Sequence, residues 1–261
     1  MNSAEIIGIK RHCLGTDGQG ITTLVAFHGC LLRCRYCLNP QCHSSFDKKR
    51  EMTPDELMTI LKKDELYFIA TNGGVTFGGG EPLMQSKFIL EVLSLGANKW
   101  HTTLETSLNV ERHHVERLFP YIDEYIVDVK DMNGKIYREY TGHNNDSLKS
   151  NLRYLIEAGK ADKILCRIPL IPGYNLERDR MKSEEELIDM GIFRFERFTY
   201  IRKKDPTITP YREVSQGKKT LTLEDIKRIK EDKERLDRFL KNFRDRYKDC
   251  WTKGLIVEED E

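Results

Sequence analysis

No apolar run in this chain approaches the roughly 20 residues that a membrane-spanning helix needs, so the sequence offers no candidate span. It has no charge bias either. Lys and Arg number 43 against 42 Asp and Glu, a net charge of +1, and nothing in that balance recommends nucleic acid as a partner. The first ten residues, Met1-Asn-Ser-Ala-Glu-Ile-Ile-Gly-Ile-Lys10, are too short and too polar for a secretory signal, which leaves a cytoplasmic location as the expectation. A disulfide framework is missing too. The cysteines number seven, an odd count; Cys30, Cys34 and Cys37 fall within eight residues, while Cys13, Cys42, Cys166 and Cys250 are scattered. Secreted scaffolds are smaller and denser in cysteine, so a reducing compartment with a metal site fits better. There is no low-complexity segment, and no repeat beyond an alternation of strand and helix patterns.

What is present is a chain of 261 residues, enough for one large α/β barrel or two small domains. Six strand-like runs follow one another: Thr23–His28, Gly74–Phe77, His101–Thr106, Tyr125–Lys130, Lys163–Leu170 and Arg194–Ile201. Helical patterns separate them. Thr53-Pro-Asp-Glu56 reads as a capping box with proline at the first helical position. Phe88–Leu95, Glu111–Leu118 and Ser147–Ala158 follow, the last stopped by Gly159, and Ser183 is placed to cap a short helix that Gly191 ends. Six β/α units in order predict a parallel sheet with crossover helices, closing as a partial (β/α)6 TIM-like barrel; the alternative is an open doubly wound sheet. The barrel is expected over residues 1–205, and a linker with a charged C-terminal helix over 206–261. From Thr222 to Tyr247, Ile226, Ile229, Leu236, Phe239, Leu240, Phe243 and Tyr247 recur at helical spacing, an apolar stripe of the kind that packs on a core.

The cysteine triplet Cys30-Leu-Leu-Arg-Cys34-Arg-Tyr-Cys37 is a C-x3-C-x2-C cluster on the loop after the first strand. An electron-transfer cubane takes four cysteines, so three thiolates leave one iron open for a non-protein ligand. The same cysteines with Cys42 or His43 would also suit structural zinc. Gly78-Gly79-Gly80-Glu81-Pro82 ends the second strand, where glycines let the backbone approach a ligand and a carboxylate can meet an ammonium group. Asp128 and Lys130 share a face at the end of the fourth strand by alternation, and Arg167-Ile-Pro-Leu-Ile-Pro-Gly-Tyr-Asn175 follows the fifth.

In one order, these motifs resemble the glycyl-radical-enzyme activating enzymes of the radical S-adenosylmethionine (SAM) superfamily, the family typified by pyruvate formate-lyase activation. The resemblance runs from about Gly15 to Asn175 and includes Asp17-Gly-Gln-Gly20, Phe27-His-Gly-Cys30, Asn39-Pro40, Glu105-Thr106 and Tyr140-Thr-Gly142. It implies a [4Fe–4S] cluster on Cys30, Cys34 and Cys37, with Tyr36 near the adenine of SAM. It implies that Gly79, Gly80 and Glu81 hold the methionine amino group, and that Asp128, Lys130 and Arg167 belong to the SAM site, Lys130 in a catalytic role. It also implies K⁺ or Na⁺ beside SAM, held by Glu105, Thr106 and Asp128. The implied reaction is reductive cleavage of SAM to a 5′-deoxyadenosyl radical, which takes a glycine α-hydrogen from a partner glycyl radical enzyme. Reduced flavodoxin or ferredoxin would be the electron donor.

The chain departs from the family's pattern at Gln19 and Thr22, at Glu105 where aspartate is usual, and at Pro210-Tyr211-Arg212 where the last residue is usually histidine. These departures are expected toward the substrate end. Other radical SAM activities, peptide modification or activation of an anaerobic ribonucleotide reductase, remain open, as does a non-enzymatic zinc or iron–sulfur module.

Overall fold

The computed structural model describes residues 2–15, 17–43, 49–201 and 211–214, with backbone alone for 200, 201 and 211–214. In chain order its elements are β1 (Ala4–Leu14), β2 (Ile21–Phe27), β3 (Arg50–Met52), α1 (Pro54–Leu61), α2 (Glu65–Thr71), β4 (Gly74–Gly79), α3 (Ser86–Ser94), β5 (His101–Thr106) and α4 (Arg112–Leu118). They continue as β6 (Glu124–Asp128), α5 (Gly134–Thr141), α6 (Asp146–Glu157), β7 (Ile164–Leu170), α7 (Glu177–Asp189), β8 (Phe195–Ile201) and β9 (Tyr211–Val214). The predicted C-terminal helix, most of the 203–219 stretch and Cys250 lie outside the described residues.

One sheet holds the strands in the order β3-β1-β2-β4-β5-β6-β7-β8-β9. The six runs expected from the sequence are the six consecutive parallel strands, β2 to β8. Each crossover steps to the next strand in the same direction. Right-handed crossovers then put the helices on one face and curl the sheet, whereas a doubly wound sheet would reverse its strand order at a switch point. The partial barrel is the architecture, and the open doubly wound alternative falls. Antiparallel strands extend it on both sides, β1 and β3 beside β2, and β9 beside β8.

The helices bury the positions that a 3.6-residue period brings to one face: Leu57 and Leu61 on α1, Phe88, Ile89 and Val92 on α3, Leu148, Leu152 and Leu155 on α6. They meet Val25, Phe27, Val75, Phe77, Leu104, Val127 and Ile168 of the strands in one core. The capping box at Thr53 is formed, with Glu56 N–H on Thr53 Oγ1 and Thr53 N–H on Glu56 Oε2. Ser183, by contrast, caps nothing. It lies inside α7, which starts at Glu177, and is buried; its hydroxyl bonds the β6–α5 connection instead. The Asp17–Gly20 stretch also differs from expectation. It packs at the amino ends of the strands, with Gly20 against Thr71 and Gly73, away from the end that carries the cysteine loop.

Candidate active site

The site is built at the carboxyl ends of β2, β4, β5 and β6, the end where barrel strands present reactive groups. β2 delivers the chain into the cysteine loop, and two neighbours fix that loop. One is the exit of β4. Gly80 N–H donates to Phe27 O at 2.9 Å and Glu81 N–H to Gly29 O at 2.7 Å, while Asn39 Nδ2 donates to Gly79 O at 2.9 Å. A Cβ on Gly80 would stand 2.1 Å from the Gly29 carbonyl oxygen, so only glycine permits this approach. The other neighbour is the end of α5. Its final carbonyls, Tyr140 O and Thr141 O, have no intrahelical partner and accept Arg35 N–H at 3.1 Å and Arg33 N–H at 2.8 Å. The Tyr140-Thr-Gly142 motif is therefore a seat for the cysteine loop, with Gly142 supplying the left-handed residue that ends the helix.

Cys30, Cys34, Cys37, Tyr36, Gly79, Gly80, Glu81, Glu105, Thr106, Asp128 and Lys130 all line one solvent-open cavity. Its enclosed volume is about 90 Å³, and the rest of the space opens to solvent. Tyr36 donates its hydroxyl to Pro172 O and packs against Tyr140 and Tyr174 at ring distances of 6.1 and 5.9 Å. This links the cysteine loop to the segment after β7.

The thiols suit a metal cluster. Burial pushes the Cys30 thiol up to about 12, with the Glu81 carboxylate adding to the effect, and burial pushes Cys34 up to about 11. Such groups form thiolates only against a strong local cation, which bound metal supplies. Cys42 is buried, and its sulfur lies within 4.8 Å of the ligand atoms of Cys37 and His43. Cys30 and Cys34 are not in that group, so a four-ligand zinc site using the whole triplet is not assembled among the described residues.

The structure redistributes several expected roles. Glu81 is buried, and its carboxylate is filled from its own chain: Leu83 N–H at 3.2 Å and Thr106 Oγ1 at 2.5 Å on one oxygen, Ser107 N–H at 3.0 Å and Ser107 Oγ at 2.6 Å on the other. It thus ties the β4 exit to the β5 exit, as well as bordering the cavity. Arg167 is not among the lining residues. It is 2% exposed, donating from Nη1 to Glu105 at 2.7 Å and from Nε to Glu196 at 2.6 Å. Burial alone would lower its pKa, but Glu105, Asp128 and Glu196 together drive it up. Lys130 Nζ reaches Asp128 Oδ2 at 2.8 Å, although β6 ends at Asp128 and Lys130 has a left-handed backbone, so strand alternation is not what joins them.

Glu105, Thr106 and Asp128 do line the cavity together, but Arg167 and Lys130 already stand against the two carboxylates. Sequence reasoning missed Ser107 and Glu196, and placed Asn39 in the resemblance without giving it a role. Glu196 gave no sequence signal, since its pairing with Arg167 rests on the lateral register of parallel strands. Arg212 pairs with Tyr200 in β9 through the backbone.

Residues 24–183 match the family model of the radical SAM superfamily. The pyruvate formate-lyase-activating enzyme of Staphylococcus aureus is 34% identical over 188 residues, covering 69% of this chain and 72% of that one. Among solved structures, a radical SAM methyltransferase from Sphaerobacter thermophilus superposes with a TM-score of 0.53 at 16% identity, over 92% of this chain and 74% of that one. SuiB of Streptococcus suis, bound to its precursor peptide SuiA, superposes with a TM-score of 0.50 at 19% identity, over 84% of this chain. The chain spans only 44% of SuiB, and both likenesses show the fold alone.

Proposed function

The chain belongs to the radical SAM superfamily, and we propose that it is a glycyl-radical-enzyme activase within it. One observation carries the reading. The three cysteines, the Gly79–Glu81 turn and the Asp128–Lys130 pair form one cavity wall, in a chain 34% identical to pyruvate formate-lyase-activating enzymes. Cys30, Cys34 and Cys37 would hold the [4Fe–4S] cluster. When bound, a reduced cluster would supply one electron for cleavage of the SAM C–S bond, giving methionine and a 5′-deoxyadenosyl radical that would take a glycine α-hydrogen from the partner. Gly79 and Gly80 would bring backbone to the methionine amino end, Tyr36 would border the adenine, and Lys130 with Asp128 would meet the carboxylate and ribose. The cavity walls position SAM, and the cofactor carries the radical chemistry.

The test is anaerobic incubation with SAM, reduced flavodoxin or ferredoxin, and a pyruvate formate-lyase as the candidate glycyl radical partner. A glycyl radical on the partner by electron paramagnetic resonance, with one 5′-deoxyadenosine formed per radical, is the expected result. 5′-Deoxyadenosine without a partner radical would redirect the reading to peptide modification or to activation of an anaerobic ribonucleotide reductase.

Two further outcomes follow from the wall's geometry. Glu81→Gln puts an amide NH₂ against two donors, and should cost about 1–3 kcal/mol of stability and weaken SAM binding with the irons retained. Unchanged SAM affinity in an anaerobic titration would remove Glu81 from the site. K⁺ or Na⁺ at Glu105, Thr106 and Asp128 would compete with Arg167 and Lys130 for the same carboxylates. SAM cleavage by the dithionite-reduced protein should therefore differ little among Na⁺, K⁺ and a bulky organic cation at equal ionic strength. A strong preference for one of them would restore the ion.

A further inference from the structure

Lys130 is held in an unusual backbone. Its φ is +64°, and Asp131 N–H donates to Val129 O at 2.8 Å, closing a tight three-residue turn around it. Turns of this hand at a residue with a Cβ are rare and strained, and persist only where the surroundings over-determine them. The residue that supplies the surroundings is Asp131, which is 1% exposed.

Its carboxylate gathers three segments. Oδ1 accepts Asn133 N–H at 2.8 Å, at the start of α5, and Ser183 Oγ at 3.2 Å, from α7. Oδ2 accepts Asn175 Nδ2 at 3.1 Å, from the loop after β7. The partners are themselves anchored. Asn175 also bonds Pro169 O at 3.1 Å and accepts Ile171 N–H at 2.6 Å. Ser183 Oγ accepts Met132 N–H at 2.9 Å, and Asn145 Nδ2 donates to Met132 O at 2.9 Å and to Asp131 O at 3.3 Å. A buried polar network this fully connected is rigid and defines one conformation.

We infer that Asp131 is a positioning residue: through Asn133, Asn175 and Ser183 it locks the strained turn that aims the Lys130 ammonium at Asp128 and the cavity. The inference rests on the reading of that cavity as the SAM site. Asp131 itself does not line the cavity, so its effect on SAM must pass through Lys130.

A double-mutant cycle separates this role from a merely structural one. The variants are Asp131→Asn, Ser183→Ala, Lys130→Met and Asp131→Asn with Lys130→Met. Each is read by iron content and by SAM titration of the oxidised holoenzyme, which lacks the electron that cleaves SAM. Asp131→Asn should keep its irons and lose about tenfold in SAM affinity, the size of a typical contact coupling. Ser183→Ala should move the same way by less. The double variant should bind no worse than Lys130→Met. Wild-type affinity in Asp131→Asn, or losses that multiply in the double variant, overturns the inference while the SAM reading stands. Wild-type affinity in Lys130→Met overturns both. If Asp131→Asn does not accumulate folded, Ser183→Ala, alone and with Lys130→Met, carries the cycle with the same outcomes.

Discussion

Replacing Cys30, Cys34 or Cys37 by alanine should abolish the brown chromophore and all SAM cleavage. The three thiols face one cavity from a single loop, and burial keeps Cys30 and Cys34 protonated until metal is present. Removing one thiolate leaves two, too few to hold a cubane that already gives up its fourth protein ligand. The other cysteines behave differently. Cys13 and Cys166 are buried in β1 and β7, and their alanine variants should retain roughly four irons. Cys42→Ala is the informative control. Its sulfur lies close to Cys37 and His43, so it is a candidate for a fourth cluster ligand or a zinc ligand. Retention of roughly four irons with SAM cleavage in Cys42→Ala supports the open-iron assignment. Loss of the cluster in that variant would contradict it.

Arg167→Met should be the most damaging change outside the cysteines, and through stability rather than chemistry. The guanidinium is 2% exposed between Glu105 and Glu196. Without it Glu105 on β5 and Glu196 on β8 lose the counter-charge they share. Breaking a buried pair on one side costs about 3–5 kcal/mol, and the lower end applies here because the carboxylates keep 24% and 15% exposure. Lysine is a poor replacement, since a single ammonium cannot present two donors in a fixed fork. The loss should grow as pH rises, because the unpaired carboxylates would have raised pKa values and must ionise unfavourably. Denaturant unfolding of Arg167→Met across pH checks this, and Arg167→Met with Glu196→Leu should recover part of the stability. A change within about 0.5 kcal/mol, the range of an ordinary surface substitution, would contradict the account.

The legible part of this chain was the part written locally. The six parallel strands are short apolar runs between turn residues, and His101–Thr106 has the same bounds in sequence and structure. The capping box at Thr53 and the stop at Gly159 depend on neighbouring residues alone, and both hold. β1 was not legible because its burial does not alternate and its pairing with β2 slips twice. α2 was missed because Leu66, Tyr67 and Ile69 leave their side chains exposed, which blurs the helical stripe.

The same division runs through the site. The cysteine triplet, Gly79 to Glu81, Asp128 and Lys130 each sit at a strand end, so strand order alone brought them together. The partners of Glu81 and Arg167 depended on lateral register. Arg167 stands beside Asp128 on one side and Glu196 on the other, and no single strand announces that. Asp131 was hidden for the same reason, since its partners come from α5, α7 and the loop after β7.

The most direct measurement of the central claim is the product of SAM under single-turnover conditions. The protein, reconstituted anaerobically to four irons and reduced with dithionite, should convert SAM to 5′-deoxyadenosine and methionine, with the Cys34→Ala variant inert. A cluster that reduces and binds SAM yet yields no 5′-deoxyadenosine would contradict the account.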